Sequence, residues 1–305
     1  MKIFSKTDIG LLRDENQDCV WSASLSDGAC AAVLCDGMGG EAHGGLASRI
    51  AVDVISKRIL GTFSEMMNRN SVRNLLITAV SAANSAVVDA ARKEPEGAVM
   101  GTTCVAAIVS GGRAYIVNVG DSRGYYFRNG RVIAQTRDHS VCQAAVELGQ
   151  LTPEQIRGSE DRVKLLKVLG NFDRLELKRQ PEQISAMNGD AFLICTDGFW
   201  EHVHEREMEC DLVKSDSPTE WRDRMLKRLL LRTGNSGDNY TALCGFITDE
   251  PENPAPRKKP RRFVRFLISA AAALLMIGGL IAALVFLSGD SGAEESSSSL
   301  ADTIR

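Results

Sequence analysis

The 305-residue sequence lacks the signatures of several chemistries. It has no CxxC pair among its eight cysteines, no P-loop, no GxSxG elbow and no cysteine within a phosphate-cradling loop. Those absences speak against common zinc and redox motifs, P-loop phosphate chemistry and serine-nucleophile hydrolysis. Most cysteines sit inside apolar runs such as AAVLCD and FLICTD, which reads as buried reduced thiols. The N-terminal stretch MKIFSKTDIG has no apolar signal region. No internal repeat is evident, and only Ser296 to Ser299 is low in complexity. With 44% hydrophobic and 25% charged residues, the chain is not disordered, collagen-like or a disulfide scaffold.

The net charge of -3 is the sum of unlike parts. Arg257, Lys258, Lys259, Arg261, Arg262 and Arg265 form a basic stretch without an acid, and beyond it stand four acids and one base. Residues 1 to 256 therefore hold 29 basic and 35 acidic residues, a net of -6. A mildly acidic body argues against nucleic acid as a partner. Phe266 to Leu287 follows the basic stretch with 22 uncharged residues. As a helix rising about 1.5 Å per residue it spans roughly 33 Å, enough for a bilayer core. Basic residues before it and an acidic, Ser-rich segment after it place the preceding body in the cytoplasm. The expected organisation is a catalytic domain over 1–249, a Pro-rich basic linker over 250–265, a transmembrane helix over 266–287 and a short extracytoplasmic tail over 288–305. A single-pass protein of the cell membrane follows.

Within 1–249, β-rich runs occupy Ala29 to Cys35, Thr102 to Ser110, Arg113 to Val119, Gly124 to Arg128 and Arg131 to Gln135. Gly111-Gly112 and Asn129-Gly130 separate neighbours as hairpin turns. Further strands are expected at Leu175 to Gln180, Ala191 to Thr196 and Ala242 to Thr248. Helical periodicity covers Gly44 to Leu60, Ser71 to Lys93, Val203 to Lys214 and Pro218 to Leu231. Strands and helices grouped in runs indicate an α+β architecture.

Four aspartates share a local pattern in which an apolar strand meets a carboxylate at a turn: Asp36 in AAVLCDGMGG, Asp121 in AYIVNVGDSRG, Asp197 in AFLICTDGFW, and Asp238 in NSGDNYTA, where the strand follows. Asp-Gly is an ordinary turn dipeptide, so each alone is unremarkable. Carboxylates carried to one end of buried strands repel one another unless cations lie between them. Oxygen ligands without nearby His or Cys favour Mg²⁺ or Mn²⁺. Two such ions about 3.5–4 Å apart make a hydrolytic site for phosphate esters.

The segments TDIGLLRDENQD (7–18), CDGMGGEAHGGLAS (35–48), GTT (101–103), NVGDSRGY (118–125), RDHS (137–140), CTDGFW (195–200) and GDNYTA (237–242) occur in the order found in the metal-dependent, type 2C serine/threonine protein phosphatases. The chain most resembles their bacterial branch. That resemblance implies a four-layer α-β-β-α sandwich with a central antiparallel β-sandwich and a metal centre at one end. It implies hydrolysis of phosphoserine and phosphothreonine by a metal-bound hydroxide, with phosphoproteins, a bacterial Ser/Thr kinase and that kinase's substrates as partners. Residue by residue, Asp36 would bridge two Mn²⁺ or Mg²⁺ ions, and the Gly37 carbonyl would bind one of them. Asp197 and Asp238 would complete the other, and Asp18 would hold metal-bound water or act as a weak ligand. Asp121, with Asp197, matches the position of a third, weaker metal in bacterial members. Arg13 would grip the substrate phosphate, for which a guanidinium fork is suited.

The chain also departs from the family pattern. Gln17 stands where some members carry Glu, which would weaken one metal. Met38 stands where eukaryotic members place a general-acid His, and a thioether cannot donate a proton. His43 matches no catalytic position and reads as a surface or helix-start residue, and His139 reads as structural. Val146 to Gly170 resembles the family's flap and its following helix, but Ser159-Glu160 and Leu166-Lys167 replace the usual His-Pro and Thr-Arg pairs. The alternative is a catalytically weak or inactive, membrane-anchored binding module of the phosphatase fold, against which the retained Asp18, Asp36, Asp121, Asp197 and Asp238 speak.

Overall fold

The computed structural model describes residues 2–8, 14–39, 43–94, 99–171, 175–177, 182–234 and 237–248. The chain divides into two compact units, Met1–Asn253 and Pro254–Arg305, and every described residue belongs to the first. Arg13, the basic linker, the apolar stretch 266–287 and the tail lie outside the described residues.

In chain order the elements are β1 (Lys2–Asp8), β2 (Asp18–Ser26), β3 (Ala29–Met38), α1 (His43–Thr62), α2 (Arg69–Ala91), β4 (Gly101–Thr102), β5 (Cys104–Ser110), β6 (Arg113–Val119), β7 (Arg123–Arg128) and β8 (Arg131–Gln135). There follow α3 (Val141–Glu147), 3-10 turns at Pro153–Gly158 and Glu160–Val163, β9 (Glu182–Ser185), β10 (Ala191–Cys195), α4 (Asp197–Trp200), α5 (Glu205–Val213), α6 (Pro218–Thr233) and β11 (Tyr240–Phe246). One sheet runs β1-β11-β10-β7-β8 and the other β2-β3-β5-β6-β9, with β4 beside β3. Every pairing is antiparallel.

The side-chain alternation of the strands builds the layers. Along β3, Ala31, Val33 and Cys35 face a core shared with Ile55 of α1 and Leu76 and Val80 of α2. Cys30, Ala32 and Leu34 face the other way, into a second core with Phe192, Ile194 and Leu243. On the far side of the opposite sheet, Leu193, Cys195 and Cys244 pack under Trp221 and Met225 of α6. The result is the expected α-β-β-α sandwich. Because both strand faces are buried, these strands read as unbroken apolar runs, not as polar-apolar alternation. Among the described residues α2 alone is long and apolar enough to cross a membrane, but Val72, Leu76, Val80 and Val87 commit it to the core. All eight cysteines are free thiols, and six of them are buried.

Asn129 and Gly130, at φ 52° and 75°, form the β7-β8 turn as expected. Three expectations need correction. Residues 175–177 form no strand; Glu182–Ser185 takes the place beside β6, while Leu175 and Leu177 pack side chains against the α1-α2 core. The run Thr102 to Ser110 is broken at Thr103, whose N–H turns to donate to the Asp36 carbonyl at 2.8 Å. The Val146–Gly170 segment forms 3-10 turns and no α-helix of its own beyond the end of α3, with Pro153 opening the first turn and Gly158 closing it.

Candidate metal centre

The site forms where the two sheets end together. Asp18 and Asp36 are direct partners in the β2-β3 ladder. The neighbouring pair Gln17/Gly37 carries a ladder bond, Gly37 N–H to Gln17 carbonyl at 3.1 Å. Asp18 and Asp36 therefore occupy a non-hydrogen-bonded pair, the closer kind of cross-strand contact. The return bond is missing because Gln17 N–H donates instead to Asn239 Oδ1 at 2.8 Å. The Gln17 N–H is thus turned away from the Gly37 carbonyl.

The opposite sheet delivers two more carboxylates. Thr196 N–H donates to the Thr241 carbonyl, continuing the β10-β11 ladder, so Asp197 leaves β10 at the end where Asp238 enters β11. Glycine is obligatory at 198, since a Cβ there would lie 2.2 Å from the Asn239 carbonyl oxygen. Asp197 Oδ1 accepts from Gly198 N–H and Asp238 Oδ1 from Asn239 N–H, both at 2.7 Å. Asn239 Nδ2 also donates to the Glu15 carbonyl at 3.1 Å, tying the 15–17 segment to the Asp238 loop.

These carboxylates sense one another. Burial pushes the Asp18 carboxyl up to about 7, helped by the charges of Asp197 and Asp238. Burial pushes Asp197 up to about 6, with Glu201 and Asp238 adding to it. Burial raises Asp36 well above the usual range, as do the charges of Asp18, Asp197 and Asp121, and Asp36 shares a side-chain hydrogen bond with Asp197. Asp121 is raised by burial and by Asp197, against Arg123. Five predicted carboxylates thus gather at one end of the sandwich. No group of three carboxylate, thiol or imidazole side chains among the described residues is set around a common point. The chemistry still fits a hard cation: the donors are oxygens, and Asp18 Oδ1 is buried without a hydrogen-bond partner.

Threonines and one tryptophan hold this arrangement. Asp36 N–H donates to Thr103 Oγ1 at 2.9 Å, and Thr102 Oγ1 donates to the Asp36 carbonyl at 2.8 Å. Trp200 Nε1 donates to the Asp121 carbonyl at 2.9 Å. The Arg123 guanidinium lies 3.5 Å from the Trp200 ring centroid and makes a bidentate pair with Asp138, at 2.9 and 2.7 Å. Both Arg123 and Asp138 are buried. From the two 3-10 turns, Arg157 Nε donates to the Trp200 carbonyl at 3.1 Å, and Arg162 pairs with Glu201. Ser159 Oγ caps the second 3-10 turn, Leu166 N–H donates to the His139 carbonyl, and Lys167 Nζ donates to the Glu176 carbonyl.

His43 begins α1 and meets Glu94 at 3.2 Å, while His139 is half-buried, its carbonyl accepting the Leu166 N–H. Met38 lies at the end of β3, paired with Gly101. Sequence reasoning assigned no role to Thr102, Thr103, Thr196, Thr241, Asn239 or Trp200, although each stands inside a quoted motif. Their polar side chains next to the carboxylates were the available signal.

Residues 13–232 match the family model described as Protein phosphatase 2C, and the chain belongs to that family. Among curated relatives, serine/threonine protein phosphatase PstP of Mycobacterium tuberculosis is 30% identical over 249 residues. That match covers 82% of this chain and 45% of PstP, so the chain spans under half the length of that relative. Among solved structures, serine/threonine phosphatase Stp1 from Staphylococcus aureus aligns with a TM-score of 0.72 at 29% identity, over 81% of this chain and 94% of that one. The catalytic domain of PstP in complex with two manganese ions aligns with a TM-score of 0.66 at 28% identity, over 81% and 98%.

Proposed function

We propose that this protein is a metal-dependent serine/threonine protein phosphatase that hydrolyses phosphoserine and phosphothreonine in phosphoproteins. The observation that carries the reading is the convergence of Asp18, Asp36, Asp197 and Asp238 from two sheets, with one buried Asp18 oxygen unpartnered. The family match and the manganese-containing relative support it. Asp36, the Gly37 carbonyl, Asp197 and Asp238 would hold two Mn²⁺ or Mg²⁺ ions, with Asp18 beside them and Asp121 with Asp197 toward a third. The bound cations supply an activated water and neutralise the phosphoryl oxygens.

The chain's own residues do the rest. Thr102 and Thr103 fix the Asp36 backbone from both sides, so its carboxylate meets Asp197 in one position. The Asn239 tether closes the segment that leads back toward Arg13 onto the Asp238 loop. Arg13 would grip the substrate phosphate with its planar fork and align it for in-line attack. Met38 offers no proton, so the leaving alkoxide takes its proton from solvent in the site.

The apolar stretch Phe266–Leu287 would anchor the phosphatase domain to the cell membrane, with the basic stretch on the cytoplasmic side. A membrane Ser/Thr kinase and its substrates are the corresponding phosphoproteins. The test is Asp36→Asn assayed with Mn²⁺ on a phosphothreonine peptide. The variant loses hydrolysis by at least about 10²-fold; wild-type rates in the variant sink the assignment. Carbonate washing of membranes tests the anchor, and release of the protein into the wash excludes it.

A further inference from the structure

The hydrogen bonds around Asp18 are one-sided. Oδ2 accepts from Thr241 Oγ1 at 2.7 Å and from Thr196 Oγ1 at 3.1 Å, whereas Oδ1 accepts none and is shielded from solvent. Both threonines are fully buried. The bonds run on beyond them. Thr241 Oγ1 lies 2.8 Å from Thr7 Oγ1, its partner in the β1-β11 ladder, and Thr7 Oγ1 accepts from Asn16 Nδ2 at 2.9 Å. Asn16 Oδ1 in turn accepts the Asp18 N–H at 3.0 Å, which closes a ring on the residue where it began.

The proton directions follow from valence. In the ionised form that binds a cation, the Asp18 carboxylate only accepts, so Thr241 spends its single hydroxyl proton on Asp18, and Thr7 donates to Thr241. Every link then points the same way, from the Asn16 amide to Asp18 Oδ2, and such chains polarise one another. Thr7, Thr196 and Thr241 belong to one sheet and Asp18 to the other. The ring therefore clamps a carboxylate of one sheet with hydroxyls of its neighbour, at the end where Asp36 meets Asp197. The clamped carboxylate has one permitted orientation, with Oδ1 left for a ligand that brings positive charge.

We propose that Thr241 and Thr196, backed by Thr7, are positioning residues that lock Asp18 with Oδ1 presented to the Asp36–Asp197–Asp238 cluster and so set the affinity for the divalent cation. The proposal rests on the metal-dependent phosphatase reading. Partners of metal ligands act this way, and losing one typically weakens metal affinity about 10- to 100-fold.

The test is calorimetric Mn²⁺ titration of the full chain, with the Mn²⁺-induced rise in unfolding midpoint over EDTA as a second readout. Thr241→Val keeps the shape and removes the hydroxyl, and its weakest-held Mn²⁺ binds at least about tenfold less tightly, with a smaller midpoint rise. Thr241→Ser returns the hydroxyl and restores affinity to within about twofold. Thr7→Val changes an exposed side chain at the far end of the ring, leaves folding intact, and shifts affinity the same way by less. Wild-type Mn²⁺ affinity in Thr241→Val overturns the proposal, as does failure of serine to rescue it. If Thr241→Val does not fold, wild-type affinity in Thr7→Val overturns it. Wild-type protein that binds no Mn²⁺ refutes the metal-centre reading itself. Loss in Asp36→Asn with none in Thr241→Val refutes only the clamp.

Discussion

Replacing Thr103 by valine deletes one oxygen from the wall of the site and keeps its shape. In the wild type that oxygen accepts the Asp36 N–H at 2.9 Å and lies 2.7 Å from Ser122 Oγ, with both Thr103 and Ser122 buried. The variant leaves a buried N–H without its acceptor, at a cost of about 1–3 kcal/mol, and removes the Ser122 bond, worth about 1 kcal/mol more. A loss of roughly 2–4 kcal/mol lowers the midpoint of a domain of this size by about 4–16 °C. Thr103→Ser keeps both bonds and loses a methyl, which costs about 1 kcal/mol. The assay is urea and thermal unfolding of metal-free protein in EDTA, so that cation binding does not mask the difference. The lost bond is the one that holds the Asp36 N–H, so Mn²⁺ activation weakens in Thr103→Val and survives in Thr103→Ser. A valine variant as stable as the wild type, or a serine variant as damaged as valine, refutes it.

Gly198→Ala forces a Cβ toward the Asn239 carbonyl, where 2.2 Å is available; the prediction is a strongly destabilised protein with impaired Mn²⁺ activation, measured by calorimetry and peptide hydrolysis. Arg123→Leu leaves Asp138 buried without its partner and costs about 3–5 kcal/mol, and the double variant Arg123→Leu/Asp138→Leu recovers much of that, as urea midpoints will show. Burial, with the Lys167 charge, holds the His139 imidazole down at about 4 against an ordinary 6.5. The unfolded chain therefore takes up a proton as pH falls through 6.5 while the folded one resists until about 4. Relative to His139→Gln, the wild type loses stability across that window and not above it; parallel urea midpoints of the two proteins between pH 7 and pH 4 contradict this.

The parts of the fold that were legible in the sequence are those fixed by short-range pattern. The β6 and β8 runs match their strands because paired turn residues bound them, and the α6 start at Pro218 is set by the Ser217 cap. Asp36, Asp121, Asp197 and Asp238 could be picked out because strand and turn adjoin each of them in sequence. Strands β1 and β2 were missed because each is an edge strand with polar residues among the apolar ones, so neither forms an apolar run. Leu175 and Leu177 carry a strand-like alternation, yet both side chains pack against the α1-α2 core while Glu182–Ser185 takes the ladder position beside β6. The supporting threonines were opaque for a different reason: Thr103 meets Asp36 across 67 residues, and Thr196 and Thr241 meet Asp18 across 178 and 223. A hydroxyl gives no sign in sequence of so distant a partner.

On the proposed function, the carboxylates of the two sheets form one metal centre for phosphate ester hydrolysis. Counting Mn²⁺ bound to the purified protein by calorimetry, with phosphothreonine-peptide hydrolysis followed on the same samples, tests it most directly. The expected result is at least two ions per chain, hydrolysis that rises with their binding, and loss of both in Asp36→Asn. Binding and hydrolysis that survive undiminished in Asp36→Asn would contradict it.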